Sequence, residues 1–376
     1  MNILYIASVR IPDARAAGLA IARQCEAFGI VGHTLTLAAP NRHKVQMLDL
    51  FSHYSVKKVF TLAYYPVIDI IHIWEQGFYL ARLTEMVSSF FLVLKKASKI
   101  DIIYTRDQWM LVLPVFFGFR SRCVIEMHTK HSNWAVRYVL RRVKKIVVIS
   151  KGLQSFYGDL VGRKDIVWAP SGVNLEQFNL TQTKAELRVK FSLHTDTLVY
   201  GYVGKYSSFN ENKGVDDIIK AFSIARKQLP GVHLLIAGLE DKEFPIVREV
   251  LASLNIPQNA VSLFTLEQEK FSQYVIAADI LLMNYPYTEH YAHYMSPTKL
   301  FAYLATGCPI ISSDLPSVRD IAGDELITFV SPNNVIEYAK AMVEAHDTHN
   351  ESQIFATKRR EVVSQYEWKK RVEKII

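Results

Sequence analysis

The sequence is poor in cysteine and lacks the short motifs that mark several large enzyme classes. Its three cysteines, Cys25, Cys123 and Cys308, lie far apart without a CxxC pair, which argues against a disulfide framework and favours a reduced, cytoplasmic protein. No GxGxxG follows the first predicted strand and no GxxxxGK[ST] is present, so a dehydrogenase and a P-loop NTPase are both disfavoured. No His, Cys or Asp cluster has metal-ligand spacing, and we expect no metal site.

Long apolar runs are also scarce. The N-terminus, MNILYIAS, has no basic segment followed by a long apolar stretch, so we interpret it as a first strand rather than a signal peptide. The most apolar later stretches, such as Phe90–Leu94, are too short to span a bilayer. We therefore expect a soluble or peripheral protein.

The charge is unevenly distributed along a chain of globular composition. The chain has 376 residues, 50% of them hydrophobic, which suggests two domains. Residues 1–170 carry a net charge of +12 and the remainder −4. This asymmetry suggests an anionic partner for the first half, such as an anionic membrane surface, although an inert basic surface is the alternative. Nucleic acid has only this charge in its favour, and we expect none because no nucleic-acid-binding motif is present.

Short apolar runs alternate with helical segments through most of the chain, which predicts a doubly wound α/β fold with parallel sheets. After a first strand, Ile3–Ala7, we predict a loop to Ala17, a helix from about Gly18 to Phe28 and a strand at Leu35–Ala39. Later strands are predicted at Ile102–Tyr104, Cys123–Met127 and Ile146–Ile149 and, in a second series, at Val199–Val203, Leu234–Ala237, Val261–Phe264, Ile280–Met283 and Pro309–Ser312. Two such series predict two Rossmann-like domains facing a cleft.

Two segments of the second series could bind an anion. Lys205 follows a predicted strand and Lys213 precedes the next helix, which suits a phosphate, although both could be solvated loop lysines. In SPTKLFAYLATG we predict a helix with Ser296 as N-cap, Pro297 at the first helical position and Gly307 at its end. Its N-terminus could hold an anion, or the helix could be purely structural.

Two residues of the first series could contact a substrate. His128 follows the predicted strand that ends in Glu126-Met127, where an imidazole could contact an acceptor hydroxyl or a transferring sugar. Gly18 would permit close approach of the backbone to a ligand. A hydrogen-bonded structural histidine and an ordinary loop-to-helix glycine are the alternatives.

The order of these motifs resembles that of the group-1 (family 4) retaining glycosyltransferases over nearly the whole chain. The matching segments are AGLAIARQCEAFGIVGHTLTL, DIIYTRD, VIEMHTK, IVVISKGL, WAPSGVNLEQF, GYVGKY with NKGVDDIIKAF, SPTKLFAYLATGCPIISSD and YEWKKR. The resemblance implies the GT-B fold: an acceptor-side Rossmann-like domain over 1–175, a nucleotide-sugar domain over 176–358, and a helix at 359–376 that crosses back to the first domain. It implies a soluble enzyme of the cytoplasm or of the inner face of the membrane.

The resemblance also implies a chemistry. Lys205 and Lys213 would neutralise the donor diphosphate and stabilise it as the leaving group. Main-chain amides at 296–299, a stretch that includes Thr298 and Lys299, would reinforce that site, and His128 with the Gly18 loop would face sugar and acceptor. Transfer from a nucleotide sugar to a glycan or lipid-linked acceptor would retain the anomeric configuration, after domain closure, without metal or cofactor.

One departure from the family pattern leaves alternatives open. The family carries two glutamates eight positions apart, whose places are taken here by Tyr294 and Ala302, while Glu289 is nearby but out of register. Losing the ribose contact of the second glutamate could weaken donor binding about tenfold to a hundredfold. A catalytically weak or inactive GT-B binding module is therefore the second hypothesis, and a nucleotide-sugar epimerase the third.

Overall fold

The chain folds as two compact units. The computed structural model describes residues 1–13, 16–42, 49–70, 77–208, 211–265, 267–349 and 353–376. Unit 1 comprises Met1–Pro170 and Trp368–Ile376, and unit 2 comprises Ser171–Glu367. Each unit has its own parallel sheet and its own buried core. All three cysteines, which lie in the described ranges, are free thiols.

Unit 1 is a doubly wound parallel sheet. Its strands are β1 (Asn2–Ile6), β2 (Thr34–Asn41), β3 (Thr61–Pro66), β4 (Ile102–Thr105), β5 (Cys123–Met127), β6 (Lys145–Val148) and β7 (Ile166–Trp168). Its first six helices are α1 (Ala16–Ile30), α2 (Leu50–His53), α3 (Gly77–Lys96), α4 (Trp109–Phe116), α5 (Trp134–Leu140) and α6 (Lys151–Val161). Within the described residues the strand order is β3-β2-β1-β4-β5-β6-β7, so the winding reverses between β1 and β4.

Unit 2 repeats this plan. Its sheet strands are β8 (Val199–Val203), β11 (His233–Ala237), β12 (Val261–Phe264), β13 (Ile280–Met283), β14 (Ile310–Ser313) and β15 (Thr328–Val330), with a small hairpin of β9 (Ser207–Ser208) and β10 (Glu211–Asn212). Its helices are α7 (Lys184–Lys190), α8 (Val215–Arg226), α9 (Phe244–Ser253), α10 (Phe271–Ala277), α11 (Thr298–Thr306), α12 (Pro316–Arg319), α13 (Val335–Thr348) and α14 (Gln353–Ser364). The described strands run in the order β12-β11-β8-β13-β14-β15, which reverses between β8 and β13.

The last helix, α15 (Trp368–Ile375), folds with unit 1. Its predicted helical spacing is confirmed, because Val372 and Ile375 are buried in the core of unit 1 and Trp368 packs against that core. Arg371 on the same helix donates to the carbonyl oxygen of Pro170 at 2.6 Å.

Most predicted strands and the first predicted helix are confirmed, with ends that shift by one or two residues, whereas the helix that contains Phe90–Leu94 is longer than the sequence indicated. Helix α1 begins at Ala16 rather than Gly18, so the preceding loop is shorter than predicted. The stretch Phe90–Leu94 is part of the 20-residue helix α3, which is long and apolar enough to cross a membrane by length and composition. The length of this apolar helix was not evident from the sequence, because polar residues interrupt its apolar ones.

Candidate functional sites in the two units

The predicted anion-binding loop of unit 2 lies at the point where the winding of the sheet reverses. Gly204 and Lys205 follow β8, and Asn284 follows β13, its neighbour in the sheet. Gly214, at the start of α8, has a φ of +77°, and a Cβ there would lie 1.7 Å from the carbonyl oxygen of Asn284. The two strand ends and the start of α8 are thus packed backbone to backbone, at the place where doubly wound sheets bind ligands.

Three lysines converge at this place. The pKa of Lys213 is lowered by burial and by the charge of Lys205. The pKa of Lys299 is held well below its usual range by burial and by the charge of Lys213. The backbone geometry agrees, because a Cβ on Gly204, next to Lys205, would lie 3.4 Å from Nζ of Lys299, and Gly214, next to Lys213, packs on Asn284. We call Lys205, Lys213 and Lys299 the three-lysine cluster.

Lys299 is the most buried member of the cluster. The residue is 7% exposed, and within the described structure its buried ammonium has no hydrogen-bond partner. It lies 3.9 Å from the ring centre of Tyr202 and 4.9 Å from that of Tyr285. A buried ammonium that contacts two aromatic faces but has no hydrogen-bond partner within the described structure lacks the oxygen acceptor that normally offsets its desolvation, so an anionic ligand would satisfy it.

The start of α11 differs from the prediction. The helix begins at Thr298, and Pro297 occupies the N-cap position rather than the first helical one. Ser296 is not the N-cap, because its hydroxyl instead accepts a hydrogen bond from the amide of Ser171 at 2.8 Å. The side chain of Thr298 is exposed. The end of the helix is as predicted, with Gly307 in the left-handed conformation.

The two positions that lack the family's glutamates lie on either side of this helix start. Ala302 is buried within α11, 5% exposed. Tyr294 ends a π-helical turn, His290–Tyr294, and its hydroxyl donates to the carboxylate of Glu289 at 3.1 Å. The carboxylate of Glu289 is therefore held at the side chain of Tyr294, although it is out of register in the sequence.

In unit 1, the residue that organises the predicted acceptor side is Glu126, near the end of β5. Its carboxylate is completely buried and forms ion pairs with Arg106 at 3.2 Å and Arg371 at 3.0 Å. It also accepts hydrogen bonds from Gln24, at 2.9 Å, and from the hydroxyl of Tyr104. Burial acts to raise the pKa of Glu126, but Arg371 and Arg106 outweigh it and hold that pKa well below its usual range, so the carboxylate is ionised.

Of the two site residues predicted in unit 1, His128 and Gly18, His128 contacts the carboxylate of Glu126 in the part of the chain that the structure describes. Its Nε2 lies 2.5 Å from the Glu126 carboxylate. Because an ionised carboxylate only accepts, Nε2 must carry the proton, and Nδ1 then carries the lone pair. Burial and the charge of Arg106 lower the pKa of His128 to about 4. The imidazole is therefore neutral at pH 7 and offers an acceptor, not a positive charge.

His128 opens into a cavity of about 410 Å³ in unit 1. The cavity wall includes Arg82 and Asp107, which form an ion pair with each other, and the aromatic side chain of Trp109. The floor loop after β5 is held by Tyr157, whose hydroxyl donates to the carbonyl oxygen of Thr129 at 2.6 Å. A neutral imidazole thus faces a cavity that has both polar and aromatic walls and is large enough for a sugar ring.

Gly18 lies away from this cavity's lining, in the first turns of α1. A Cβ at this position would lie 2.1 Å from the hydroxyl of Tyr54, and that hydroxyl accepts from the amide of Asp13 at 2.7 Å. The close approach that Gly18 permits in the structure is therefore that of Tyr54.

Sequence reasoning did not single out Glu126, Arg106 or Arg371 as site residues. The sequence feature that could have revealed these residues is the glutamate inside an otherwise apolar strand, since a buried carboxylate needs charged partners. Its partners come from the loop after β4 and from α15, which nothing in the local sequence connects to β5.

Comparisons with known proteins bear on the family and the fold of the chain. Residues 184–362 match the family described as glycosyl transferases group 1. No curated protein matches the sequence.

Similar solved structures include HepE of Anabaena in complex with UDP, with 15% identity and a TM-score of 0.74 over 100% of this chain and 98% of that chain. Sucrose-phosphate synthase from Thermosynechococcus elongatus is 14% identical, with a TM-score of 0.74 over 99% and 97% of the two chains. WaaG, a glycosyltransferase involved in lipopolysaccharide biosynthesis, is 13% identical, with a TM-score of 0.67 over 99% and 98%. These likenesses establish the two-sheet GT-B fold predicted from the sequence.

Proposed function

We infer that this chain, whose residues 184–362 match the group 1 glycosyltransferases, is a retaining enzyme that moves a sugar from a nucleoside-diphosphate donor to a glycan or lipid-linked acceptor. It acts without a metal or another cofactor, at the cytoplasmic side of a membrane, in the synthesis of a cell-surface polysaccharide or glycolipid. The observation that carries this proposal is the three-lysine cluster, because its innermost ammonium is buried and has no hydrogen-bond partner among the described residues.

The three-lysine cluster and the start of α11 bind the donor diphosphate. Lys205, which is half exposed, is the outer contact, and Lys213 and Lys299 are the inner ones. As the bond between the sugar and the diphosphate breaks, negative charge grows on the leaving oxygen, and fixed cations stabilise that charge. The amides at the N-terminus of α11, at Thr298 and Lys299, add donors on the same anion. HepE has been crystallised with UDP and with UDP-glucose, so uridine is the first base to test.

The cavity of unit 1 binds the acceptor. The neutral imidazole of His128 accepts a hydrogen bond from a sugar or acceptor hydroxyl through Nδ1, while Glu126 holds Nε2. The acceptor hydroxyl attacks the anomeric carbon on the face from which the diphosphate leaves, and its proton passes to the departing phosphate oxygen. One C–O bond forms as one breaks, and the anomeric configuration is retained.

A second candidate is a GT-B module that binds a nucleotide or glycan without efficient transfer. The observation in its favour is that a buried alanine, Ala302, stands where the family places the carboxylate for the ribose hydroxyls. In the active enzyme, we expect Glu289, held by Tyr294, to supply a carboxylate on the sugar side. Glu289→Gln lowers transfer if this is so and changes nothing in an inactive module.

The test is transfer with defined products. The purified chain is incubated with UDP-, GDP- and ADP-sugars and a membrane or glycan extract, with and without EDTA, and the product's anomeric configuration is determined by NMR. We expect one donor to be consumed with retention, EDTA to have no effect, and Lys213→Met to abolish turnover while Lys184→Met, the same exchange at a lysine of unit 2 outside the cluster, does not. Nucleotide binding without transfer supports the binding module, and epimerised donor without acceptor supports an epimerase.

A further inference from the structure

In helix α3 the large apolar side chains are mainly exposed, which is the reverse of the arrangement expected of a surface helix. Its buried face is made largely of small or polar residues at every fourth position, with one large aromatic residue among them: Gly77, Ala81, Glu85, Ser89, Phe90 and Val93. Its exposed apolar residues are large: Phe78, Tyr79, Leu80, Leu83, Val87, Phe91 and Leu94. From Leu80 to Leu94 these exposed residues recur every three or four positions, so they form one stripe along the helix.

The buried face fixes α3 to unit 1. The carboxylate of Glu85, completely buried, accepts from Arg42 at 2.5 Å and from Arg82 at 3.1 Å. Rotating the helix to hide its apolar stripe would expose this ion-paired group and bury the stripe where small residues now fit. The ion pairs of Glu85 thus hold α3 against the domain with its apolar stripe facing outwards.

The stripe continues onto the end of α4. Phe116 and Phe117 are 70% and 57% exposed, and the ring of Phe117 stacks on that of Phe90 of α3, with 4.9 Å between ring centres. We call the seven exposed residues of α3 together with Phe116 and Phe117 the α3–α4 apolar patch. Single exposed apolar residues are ordinary, whereas nine on two adjoining helices mark an interaction surface.

The charges beside this patch are basic. Segment 77–99 contains Arg82, Lys95, Lys96 and Lys99, and its one acidic residue is the buried Glu85. Segment 109–122 has two arginines and no acidic residue. Lys95 and Lys99 are exposed beyond the C-terminal end of the stripe. Aromatic and aliphatic side chains flanked by lysines are the combination that binds the interface of an anionic bilayer.

We propose that the α3–α4 apolar patch docks on the surface of an anionic bilayer. The aromatic and aliphatic side chains enter the headgroup region, and Lys95 and Lys99 contact lipid phosphates. The patch adjoins the cavity of His128, since Phe78, Tyr79 and Leu83 also line that cavity. Resting on the proposed function, this places the cavity mouth at the membrane, where a lipid-linked acceptor reaches His128 without its chain leaving the bilayer.

Vesicle binding of the full-length chain tests the proposal. We expect the protein to co-sediment with vesicles of phosphatidylcholine and phosphatidylglycerol, weakly with phosphatidylcholine alone, and to be released by high salt, because a docked protein is held in part by screened charges. Phe91→Ser should lower the partition coefficient about tenfold or more. Lys95→Gln should lower it about fivefold.

Matched variants in unit 2 control for general effects of exposed side chains. Ile336, 68% exposed on α13, is replaced by serine, and the neighbouring Lys340, whose side chain is 75% exposed, by glutamine. Both should leave vesicle binding unchanged. Binding that is absent in the wild type, or that these controls reduce as much as Phe91→Ser does, overturns the proposal.

Other occupants of the patch give different results. If a second copy covers it, sedimentation velocity shows a dimer that Phe91→Ser dissociates, and the proposal fails. If α3 spans the bilayer, high salt and carbonate do not release the protein, and the proposal fails again. UDP binding measured on the same variants separates membrane docking from the proposed function. If docking fails while UDP still binds, only the docking proposal is overturned. If the wild-type protein binds no donor nucleotide, the proposed function is contradicted instead.

Discussion

Replacing Lys299 by methionine should stabilise the protein and weaken donor binding at the same time. Methionine keeps an unbranched side chain of similar length and removes the charge. The ammonium is buried, lacks a hydrogen-bond partner within the described structure, and is repelled by Lys213. A side chain that costs stability in the unliganded protein is expected where a ligand supplies the missing partner.

The size of both effects follows from this environment. Desolvation of an ammonium costs several kcal/mol, whereas contact with the rings of Tyr202 and Tyr285 returns about 0.5–2 kcal/mol. We therefore expect Lys299→Met to raise the free energy of unfolding by about 1–3 kcal/mol. A charge-assisted hydrogen bond to a phosphate contributes about 1.5–3 kcal/mol, so the dissociation constant of the nucleoside diphosphate should rise about 10- to 150-fold.

Thermal unfolding and titration calorimetry measure the two effects. The control is Lys184→Met, because the ammonium of Lys184 is well partnered: it donates to the carbonyl oxygen of Ala278 at 2.9 Å and to Asp279 at 3.1 Å. This control should lose stability and keep its nucleotide affinity. If Lys299→Met instead loses stability and keeps its affinity, the ammonium serves the packing of the tyrosines, and the reasoning is refuted.

Three further predictions concern other parts of the two sites. Because the pKa of His128 falls to about 4 on folding, the free energy of unfolding should decrease as pH falls from about 6.5 towards 4. Allowing for a side chain that is partly exposed, we expect this decrease to be about 1 kcal/mol per pH unit steeper in the wild type than in His128→Gln. Equal slopes of unfolding free energy against pH in the two proteins would contradict the prediction. Gly204→Ala should weaken nucleotide binding and destabilise the protein by about 1 kcal/mol or more. The reason is that φ of Gly204 is +149° and the new Cβ would lie 2.7 Å from Cδ of Lys299. Calorimetric titrations and melting curves like those of the wild type would disprove the prediction. Ala302→Glu should raise nucleotide affinity about tenfold by restoring an acceptor for the ribose hydroxyls, and unchanged affinity in calorimetry would show that the ribose binds elsewhere.

Most of the strands that the sequence predicted are buried on both faces; the exception is β12, a short edge strand whose residues are partly exposed. Ile280–Met283 is a continuous apolar run and Cys123–Met127 is apolar except for Glu126; both lie inside parallel sheets, and their predicted bounds match the structure. Strand β3 was not predicted, because it lies at the edge of its sheet and most of its residues are partly or fully exposed. Helix α3 was not recognised because the usual rule, apolar inside and polar outside, is reversed in it.

The candidate site was predictable only where one short segment carries the chemistry. Lys205 and Lys213 flank one loop, so their pattern was visible. The burial of Lys299 against two tyrosines, and the contact of Glu126 with Arg371, depend on which elements pack together, and no local pattern encodes those contacts. The same limit explains Ser296, whose hydroxyl bonds to the distant Ser171 rather than capping its own helix.

The most direct test of the central claim, that the three-lysine cluster binds a nucleoside diphosphate, is a calorimetric titration of the full-length protein with UDP, GDP and ADP. We predict saturable binding of one of them with one site per chain, which Lys213→Met abolishes and Lys184→Met leaves intact. Absence of binding by all three nucleotides, or binding that Lys213→Met does not weaken, would contradict the account.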